Sequence, residues 1–135
     1  MPDIDIYNVP ELGAPLGQYR HVTRVRAQEY LFIAGMLATD VHGNVVGEGS
    51  FDAQCAQVFR NIATALRSAG AGWDRVVQFN TFLVHSQAIP QFMAFRQREF
   101  PGFFPDGRYP PNTLLIVNRL VNEKFLIEVQ ATAAL

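Results

Sequence analysis

A stripe of apolar residues in the stretch 50–70 constrains the fold more than any other feature of the sequence. Apolar side chains recur there every three or four residues, the spacing that places them on one face of an α-helix. They are Phe51, Cys55, Val58, Phe59, Ile62, Leu66 and Ala69. Ser50 is a suitable N-cap, Asp52 lies in the first turn where the helix dipole favours an anion, and Gly70 has the position that glycine prefers after a helix. The pattern predicts a helix with one buried face.

Runs rich in β-branched and aromatic residues predict strands on both sides of this helix. HVTRVR and YLFIAGM precede it, RVVQFNTFLV follows it, and NTLLIVNRL and FLIEVQATAA come last. A second helix is expected to begin between Ser86 and Pro90 and to end at Phe100, with PGFFPDGRYPP as a surface loop. Gly43-Asn44 has the composition of a hairpin turn, and the residues before HVTRVR predict an irregular lead-in.

The order of these elements, β-β-(β)-α-β-α-β-β, indicates an α+β fold with a mixed sheet and two helices on one face. The 135 residues fit a single domain, 1–135, because no repeat, low-complexity tract or linker divides them. RVVQFNTFLV carries apolar residues on both of its faces, which suggests cover on both sides of the sheet. Since no part of the chain remains to cover the second face, we expect self-association into a closed cyclic oligomer.

Charge and composition count against several classes of protein. Eleven basic and twelve acidic residues give a net charge of −1, so no nucleic-acid partner is expected. No apolar run approaches the roughly 20 residues that span a bilayer, and the first residues lack the pattern of a secretory signal. We therefore expect no membrane partner and a cytoplasmic location. Cys55 is the only cysteine, and the histidines show no metal-ligand spacing, so neither a disulfide nor a metal site is expected.

Several motifs in a fixed order resemble the RidA/YjgF family from about Ala14 to Ala134. They are GQY, YLFIAG, the helix pattern Gln54, Gln57 and Asn61 followed by SAGAGWDRVV, the strand VVQFNTFLV, the aromatic helix ending at Phe100, and IEVQATA. The resemblance implies a chorismate-mutase-like α+β fold and a homotrimer, with a central barrel of three sheets and ligand clefts between subunits. Well-studied members hydrolyse reactive enamines and imines to 2-oxo acids and ammonia without a cofactor, and some members carry an older ribonuclease label.

Three residues match functional positions of that family. The resemblance assigns Tyr19 to the pocket, Gly35 to a close backbone approach to the ligand, and Glu128 to the positioning of the attacking water. A carboxylate can accept a proton from that water and return one to the departing nitrogen. Each residue also has a structural alternative. Tyr19 would pack at an interface, Gly35 would relieve crowding at a strand end, and Glu128 would pair with backbone N–H groups or with an arginine of a neighbouring subunit.

The segment YPPNTLL departs from the family. Where deaminases have proline, a small residue, arginine and then serine or threonine, this chain has Pro110-Pro111-Asn112-Thr113. Arginine binds a carboxylate through two parallel charge-assisted hydrogen bonds, whereas Asn112 offers one neutral NH₂ group, which is weaker by roughly 1–3 kcal/mol. Asn112 and Thr113 are expected to hold the polar end of the substrate. Arg20 or Arg108 would restore the missing charge if either reached the cleft.

Three functions follow, in order of preference. The first is a cofactor-free deaminase of a 2-aminoacrylate-like or other unsaturated amino acid from a degradative pathway. The second is a noncatalytic trimer that binds a small carboxylate- or amine-bearing metabolite, or that has a regulatory role. RNA cleavage comes last because the chain is nearly neutral. His21 is a further acid–base candidate near neutral pH, although a lone histidine on an early strand is more often structural.

Overall fold

Six strands and two α-helices make up the structure, a computed structural model that describes residues 1–135. The strands are β1 (Asp3–Tyr7), β2 (Val22–Arg26), β3 (Tyr30–Met36), β4 (Val76–Leu83), β5 (Asn112–Ile116) and β6 (Ile127–Ala134). The helices are α1 (Phe51–Ser68) and α2 (Ala88–Phe103), and short 3-10 helices occupy Pro10–Leu12 and Trp73–Arg75. Neither α-helix combines the length and the apolar composition that a membrane span requires.

The main sheet contains four strands in the order β3-β6-β4-β5. β6 is antiparallel to both of its neighbours, whereas β4 and β5 run parallel, so the sheet is mixed. β1 and β2 form a separate antiparallel pair. The hydroxyl of Thr23 on β2 donates to the carbonyl of Val77 on β4 at 2.8 Å and joins the pair to the main sheet. The α+β class with a mixed sheet is confirmed.

Helix α1 has the cap and the buried stripe that its sequence predicts. The side chain of Ser50 accepts a hydrogen bond from the backbone N–H of Ala53 at 3.2 Å, and Gly70 adopts a φ of +70° just past the helix end. The helix also buries Gln54 completely. The Gln54 amide donates to the carbonyl of Lys124 at 2.9 Å and accepts from the N–H of Leu126 at 2.8 Å. These two bonds fix the turn that leads into β6.

An aromatic cluster holds both helices against one face of the sheet. Phe59 of α1 stacks on Phe95 of α2, with ring centroids 5.4 Å apart, and meets Phe79 of β4 edge-on at 5.9 Å. Trp73 stacks on Phe103 at 4.5 Å. Aromatic pairs of this kind add about 0.5–1.5 kcal/mol each beyond the burial of their area. The core therefore lies between the two helices and this face of the sheet.

Three features differ from the sequence-based expectations. The lead-in is not irregular, because β1 pairs with β2 and places Asp3 opposite Arg26, which is a favourable cross-strand pair of charges. Helix α2 does not end at Phe100 but continues through Pro101 to Phe103, since stacking of Phe103 on Trp73 stabilises the last turn.

The predicted hairpin at Gly43-Asn44 is the third difference. It is a turn with a single bridge between Thr39 and Val45 instead of a pair of strands. The carboxylate of Asp40 accepts hydrogen bonds from the backbone N–H groups of His42 and Asn44, both at 2.9 Å. Side-chain bonds therefore organise the turn in place of a strand ladder.

The face of the main sheet that points away from the helices is uncovered and partly apolar. Phe32 is 83% exposed, Leu115 49% and Tyr30 45%. Asn80 and Gln130 form a polar patch between them, with the Asn80 amide donating to the Gln130 side chain at 3.2 Å. An exposed apolar surface of this kind is typical of a contact site.

Replacing Gln54 by leucine tests whether its two bonds fix the turn before β6. The change leaves the Lys124 carbonyl and the Leu126 N–H without partners, so the free energy of unfolding should fall by about 1–3 kcal/mol. Urea denaturation measures this difference. Gln97→Leu is the matched control, because Gln97 is exposed on α2, and it should change the free energy of unfolding by less than about 0.5 kcal/mol. Equal stability of the two variants would contradict the role of Gln54.

Candidate functional site

The carboxylate of Glu128 lies directly against the backbone of Gly35. Glu128 is on β6 and Gly35 on β3, where the register between the two strands shifts between Ile33 and Met36. A β-carbon added to Gly35 would lie only 2.5 Å from Oε2 of Glu128 and 2.7 Å from its carboxyl carbon. Any side chain at position 35 would therefore displace the carboxylate. Gly35 and Glu128 form one geometric unit.

Glu128 is half-buried and has neither a hydrogen-bond partner nor an ion-pair partner within the chain. It is directly opposite Phe82 on β4, and Phe82 is opposite Leu115 on β5, so the carboxylate belongs to an apolar part of the open face. Burial raises the pKa of Glu128 above the ordinary glutamate value. A carboxyl group with a raised pKa is suited to accept and return protons nearer neutral pH.

Asn112 and Thr113 lie on different faces of β5. The Thr81 hydroxyl, which is buried on the helix side of the sheet, donates to Oδ1 of Asn112 at 2.7 Å. Thr113 is exposed and is opposite Asn80 on the open face. Asn112 is therefore on the other side of the sheet from Glu128. One subunit cannot direct both of these side chains at the same small ligand through its own sheet.

Tyr19 lies in the segment that connects the first 3-10 helix to β2. Its hydroxyl accepts a hydrogen bond from the N–H of Leu16 at 3.1 Å. The next residue anchors the segment, because the N–H of Arg20 donates to the carbonyl of Tyr109 at 3.0 Å. Tyr19 and Glu128 share no hydrogen bond. The structure thus brings Gly35 and Glu128 together, whereas Tyr19 and Asn112 make their hydrogen bonds elsewhere.

Arg20 and Arg108 both hold β1. The Arg20 guanidinium donates to the carbonyl of Ile6 at 2.9 Å, and the Arg108 guanidinium donates to the carbonyl of Ile4. Arg108 also borders a cavity of about 330 Å³ between β1 and the end of α2, which Trp73 and Arg75 line as well. None of Tyr19, Gly35, Asn112, Thr113 or Glu128 lines that cavity. Either arginine would have to release a β1 carbonyl before it reached the proposed cleft.

The histidines and the cysteine are not part of a metal-binding group. Nδ1 of His21 accepts from the N–H of Val9 at 3.1 Å, so His21 joins the lead-in segment to β2. Cys55 is buried on α1, and burial raises its thiol pKa well above the ordinary value. No group of three or more His, Cys, Asp or Glu side chains is placed to hold a metal ion.

Arg96 is the only charged side chain among the buried residues, and the sequence reasoning missed it. It lies on α2, four residues after Phe92 and therefore on the same apolar face. The signal was an arginine at a position where the helical periodicity demands an apolar residue. Arg96 is also close to Tyr19, because its guanidinium carbon lies 6.0 Å from the centre of the Tyr19 ring.

Comparisons with known proteins agree with the fold described above. A family model described as Endoribonuclease L-PSP matches residues 11–135. A RutC family protein from Synechocystis is 29% identical over 131 residues, which cover 96% of this chain and 95% of that protein. The crystal structure of YyfB from Yersinia pestis, a protein of the conserved Rid family, superposes with a TM-score of 0.87 at 29% identity and covers 98% of both chains. Yeast Mmf1 shares the fold with a TM-score of 0.69 at 20% identity over 82% of each chain.

The burial of Glu128 predicts a pH-dependent effect of Glu128→Gln on stability. Between the ordinary glutamate pKa of about 4.3 and the higher pKa of folded Glu128, the folded state binds more protons than the unfolded state. Wild-type stability therefore falls as pH rises through that window, and the uncharged glutamine does not share this loss. Urea unfolding at a fixed protein concentration should show that the free energy of unfolding of Glu128→Gln increases relative to that of the wild type as pH rises from about 4 to 8. A stability difference that is independent of pH would contradict the assignment.

Proposed function

Because the chain belongs to the Endoribonuclease L-PSP family, which is also called the RidA/YjgF family, we propose that it is a cofactor-free deaminase of a reactive enamine or imine. The unpaired, half-buried carboxylate of Glu128 beside Gly35 is the observation that carries the proposal. The substrate class is a 2-aminoacrylate-like or other unsaturated amino acid. The products are a 2-oxo acid and ammonia.

Glu128 is the proposed general base and acid of the reaction. The enamine first takes a proton from solvent at carbon and becomes the iminium ion, and Glu128 takes a proton from water while the water oxygen bonds to the iminium carbon. The resulting tetrahedral carbon carries a hydroxyl and an amino group. Return of the proton from Glu128 to nitrogen allows the C–N bond to break, so ammonia leaves. The hydroxyl becomes the carbonyl of the oxo acid, and its proton passes to Glu128 and then to solvent. The raised pKa of Glu128 supports these transfers, because a group that titrates nearer the working pH exchanges protons more efficiently.

The site is proposed to form between subunits of a homotrimer that assembles through the open faces of the sheets. Two observations support this arrangement. Asn112 does not share a face with Glu128 but lies on β5, an edge strand of the sheet, so only the edge of a neighbouring subunit can bring it to Glu128. The face that bears Glu128 also exposes Phe32 and Leu115. In the trimer, one subunit would contribute Gly35 and Glu128. Its neighbour would contribute Tyr19, Asn112 and Thr113, while Arg20 and Arg108 would support β1 at the edge of the cleft.

A noncatalytic metabolite-binding or regulatory trimer is the second candidate. This candidate is supported by the hydrogen bond of Asn112, because its side-chain oxygen already accepts from the Thr81 hydroxyl at 2.7 Å. That leaves only the neutral NH₂ group of Asn112 for a ligand, which favours weak recognition over the tight clamping of a carboxylate. Saturable binding of small carboxylates or amines, with no ammonia release from any enamine, would distinguish this candidate from the deaminase.

Ammonia release from enzymatically generated 2-aminoacrylate tests the deaminase most simply. Glu128→Gln should lower the rate constant kcat by about 10²–10⁴-fold because it removes the proton acceptor. Gly35→Ala should lower kcat by up to about 10²-fold, since its β-carbon displaces the carboxylate. Glu29→Gln, which changes an exposed carboxylate without an ion pair, is the matched control and should keep wild-type activity. Full activity of Glu128→Gln would refute the role of Glu128.

Replacing Phe32 by aspartate tests the proposed assembly. A charge within a sheet–sheet contact is costly to bury, so Phe32→Asp should shift the protein from trimer to monomer in analytical ultracentrifugation. Val121→Asp is the control, because Val121 is 77% exposed in the turn before β6 and outside the open face. It should sediment as the wild type does. A monomeric wild type would contradict the intersubunit site itself.

A further inference from the structure

Arg96 is a fully enclosed cation beside Tyr19. Its relative exposure is 2%, and its guanidinium carbon lies 4.6 Å from the centre of the Phe92 ring and 6.0 Å from the centre of the Tyr19 ring. Burial lowers the pKa of Arg96 to about 10, so the side chain remains charged at neutral pH. Stacking on aromatic rings offsets part of the lost hydration but does not neutralise the charge.

No oxygen acceptor satisfies this guanidinium. Nε and Nη1 are buried without a hydrogen-bond partner, and the only contact of Nη2 is the thioether sulfur of Met93 at 3.4 Å. No carboxylate forms an ion pair with Arg96, although five such pairs occur elsewhere in the chain. Arginines buried in proteins are normally paired with an anion and fully hydrogen-bonded, because an unpaired buried charge is costly. Every N–H donor of Arg96 thus lacks an oxygen acceptor, and those on Nε and Nη1 lack any partner.

The segment that covers Arg96 is the one that carries Tyr19. A β-carbon at Gly17 would lie 2.8 Å from Nη2 of Arg96 and 3.4 Å from the sulfur of Met93, so the Gly17 backbone rests directly on the guanidinium. The side-chain oxygen of Gln18 is also buried without a partner. Gln18 is neutral, so it would not balance the charge even if it accepted a bond from Arg96. Gly17 thus covers donors that lack an acceptor, and the next residue along the chain carries an acceptor that lacks a donor.

We propose that Arg96 binds the carboxylate of the ligand, which enters beneath Gly17–Tyr19. The ligand class is a small 2-oxo, 2-imino or 2-enamino acid. The further claim that a bound imino or enamino acid is then hydrolysed rests on the proposed deaminase. A carboxylate matches the guanidinium in charge, and its two oxygens fit the parallel N–H pair Nε/Nη2 or Nη1/Nη2, because the only contact of Nη2 is the weak one to the Met93 sulfur. Arg20 and Arg108 are engaged by β1 carbonyls, and Asn112 has no charge, so Arg96 is the positive group that remains available next to a proposed pocket residue.

Binding of pyruvate by calorimetry, with pyruvamide as a neutral analogue of the same size, tests this assignment. The wild type should bind pyruvate and should bind pyruvamide at least about tenfold more weakly, because the amide lacks the charge. Arg96→Met should weaken pyruvate binding by at least about tenfold and remove the preference over pyruvamide. Arg98→Met is the matched control, since Arg98 is exposed on the same helix and pairs with Asp52 and Glu99, and it should leave binding unchanged.

Thermal melting without ligand separates recognition from a structural role. Methionine removes an unpaired buried charge and keeps most of the volume, so unliganded Arg96→Met should melt at or above the wild-type temperature. A markedly lower melting temperature, or loss of the trimer, would overturn the proposal and point to a structural arginine or to a carboxylate of a neighbouring subunit. If the methionine variant does not fold, Arg96→Lys keeps the charge. The lysine variant should then retain the preference for pyruvate with weaker affinity, and loss of that preference would also overturn the proposal.

Ammonia release by the same variants distinguishes this inference from the proposed reaction. Pyruvate binding that depends on Arg96, in a protein that releases no ammonia, supports the carboxylate site and refutes only the deaminase. Ammonia release that is unaffected by Arg96→Met refutes only the carboxylate site. In the deaminase, Arg96→Met should raise KM for 2-aminoacrylate by about tenfold or more, because the lost contact exists before and during the reaction.

Discussion

The close packing of the Glu128 carboxylate against Gly35 is the constraint on which the candidate site depends. The two residues meet where the β3–β6 register shifts, and the absence of a side chain at position 35 makes room for the carboxylate. The register of β6 is itself set at its start, where buried Gln54 of α1 holds the turn through Lys124 and Leu126. The buried stripe of α1 thus determines where β6 begins and where Glu128 lies. A carboxylate held in this way without a partner is unfavourable for stability alone, and it is the observation on which the proposed chemical role of Glu128 rests.

The sheet divides the remaining candidate residues into two groups that one subunit does not bring together. Gly35 and Glu128 belong to the open face, whereas Asn112 is bonded to Thr81 on the helix side and Tyr19 lies over α2. Assembly through the open faces would give the exposed Phe32 and Leu115 a partner and would create new clefts at the seams between subunits. Self-association and the formation of a site are, in this account, consequences of the same uncovered sheet face.

The sequence predicted those elements whose periodicity is strong and local. Helix α1 has the N-cap, the apolar stripe and the terminal glycine that the pattern of residues 50–70 predicts. The mixed α+β sheet follows from the order of the strands. β1 was missed because its five residues alternate too briefly, and they become a strand only through pairing with β2. The end of α2 was misplaced because local rules disfavour Pro101 in a helix, while the stacking of Phe103 on Trp73 is a tertiary contact. Family motifs identified Gly35 and Glu128 as candidates, but no local pattern shows that Arg96 lies under Gly17, since that contact joins segments 79 residues apart.

A crystal structure of Glu128→Gln with bound pyruvate tests the central claim most directly, because the variant retains the shape of the site and is not expected to turn over substrate. The account predicts a trimer with pyruvate at each subunit seam, its carbonyl carbon facing the side chain at position 128 of one subunit and its carboxylate held by residues around Tyr19 of the next. Pyruvate bound away from position 128, or a site built from one subunit alone, would contradict it.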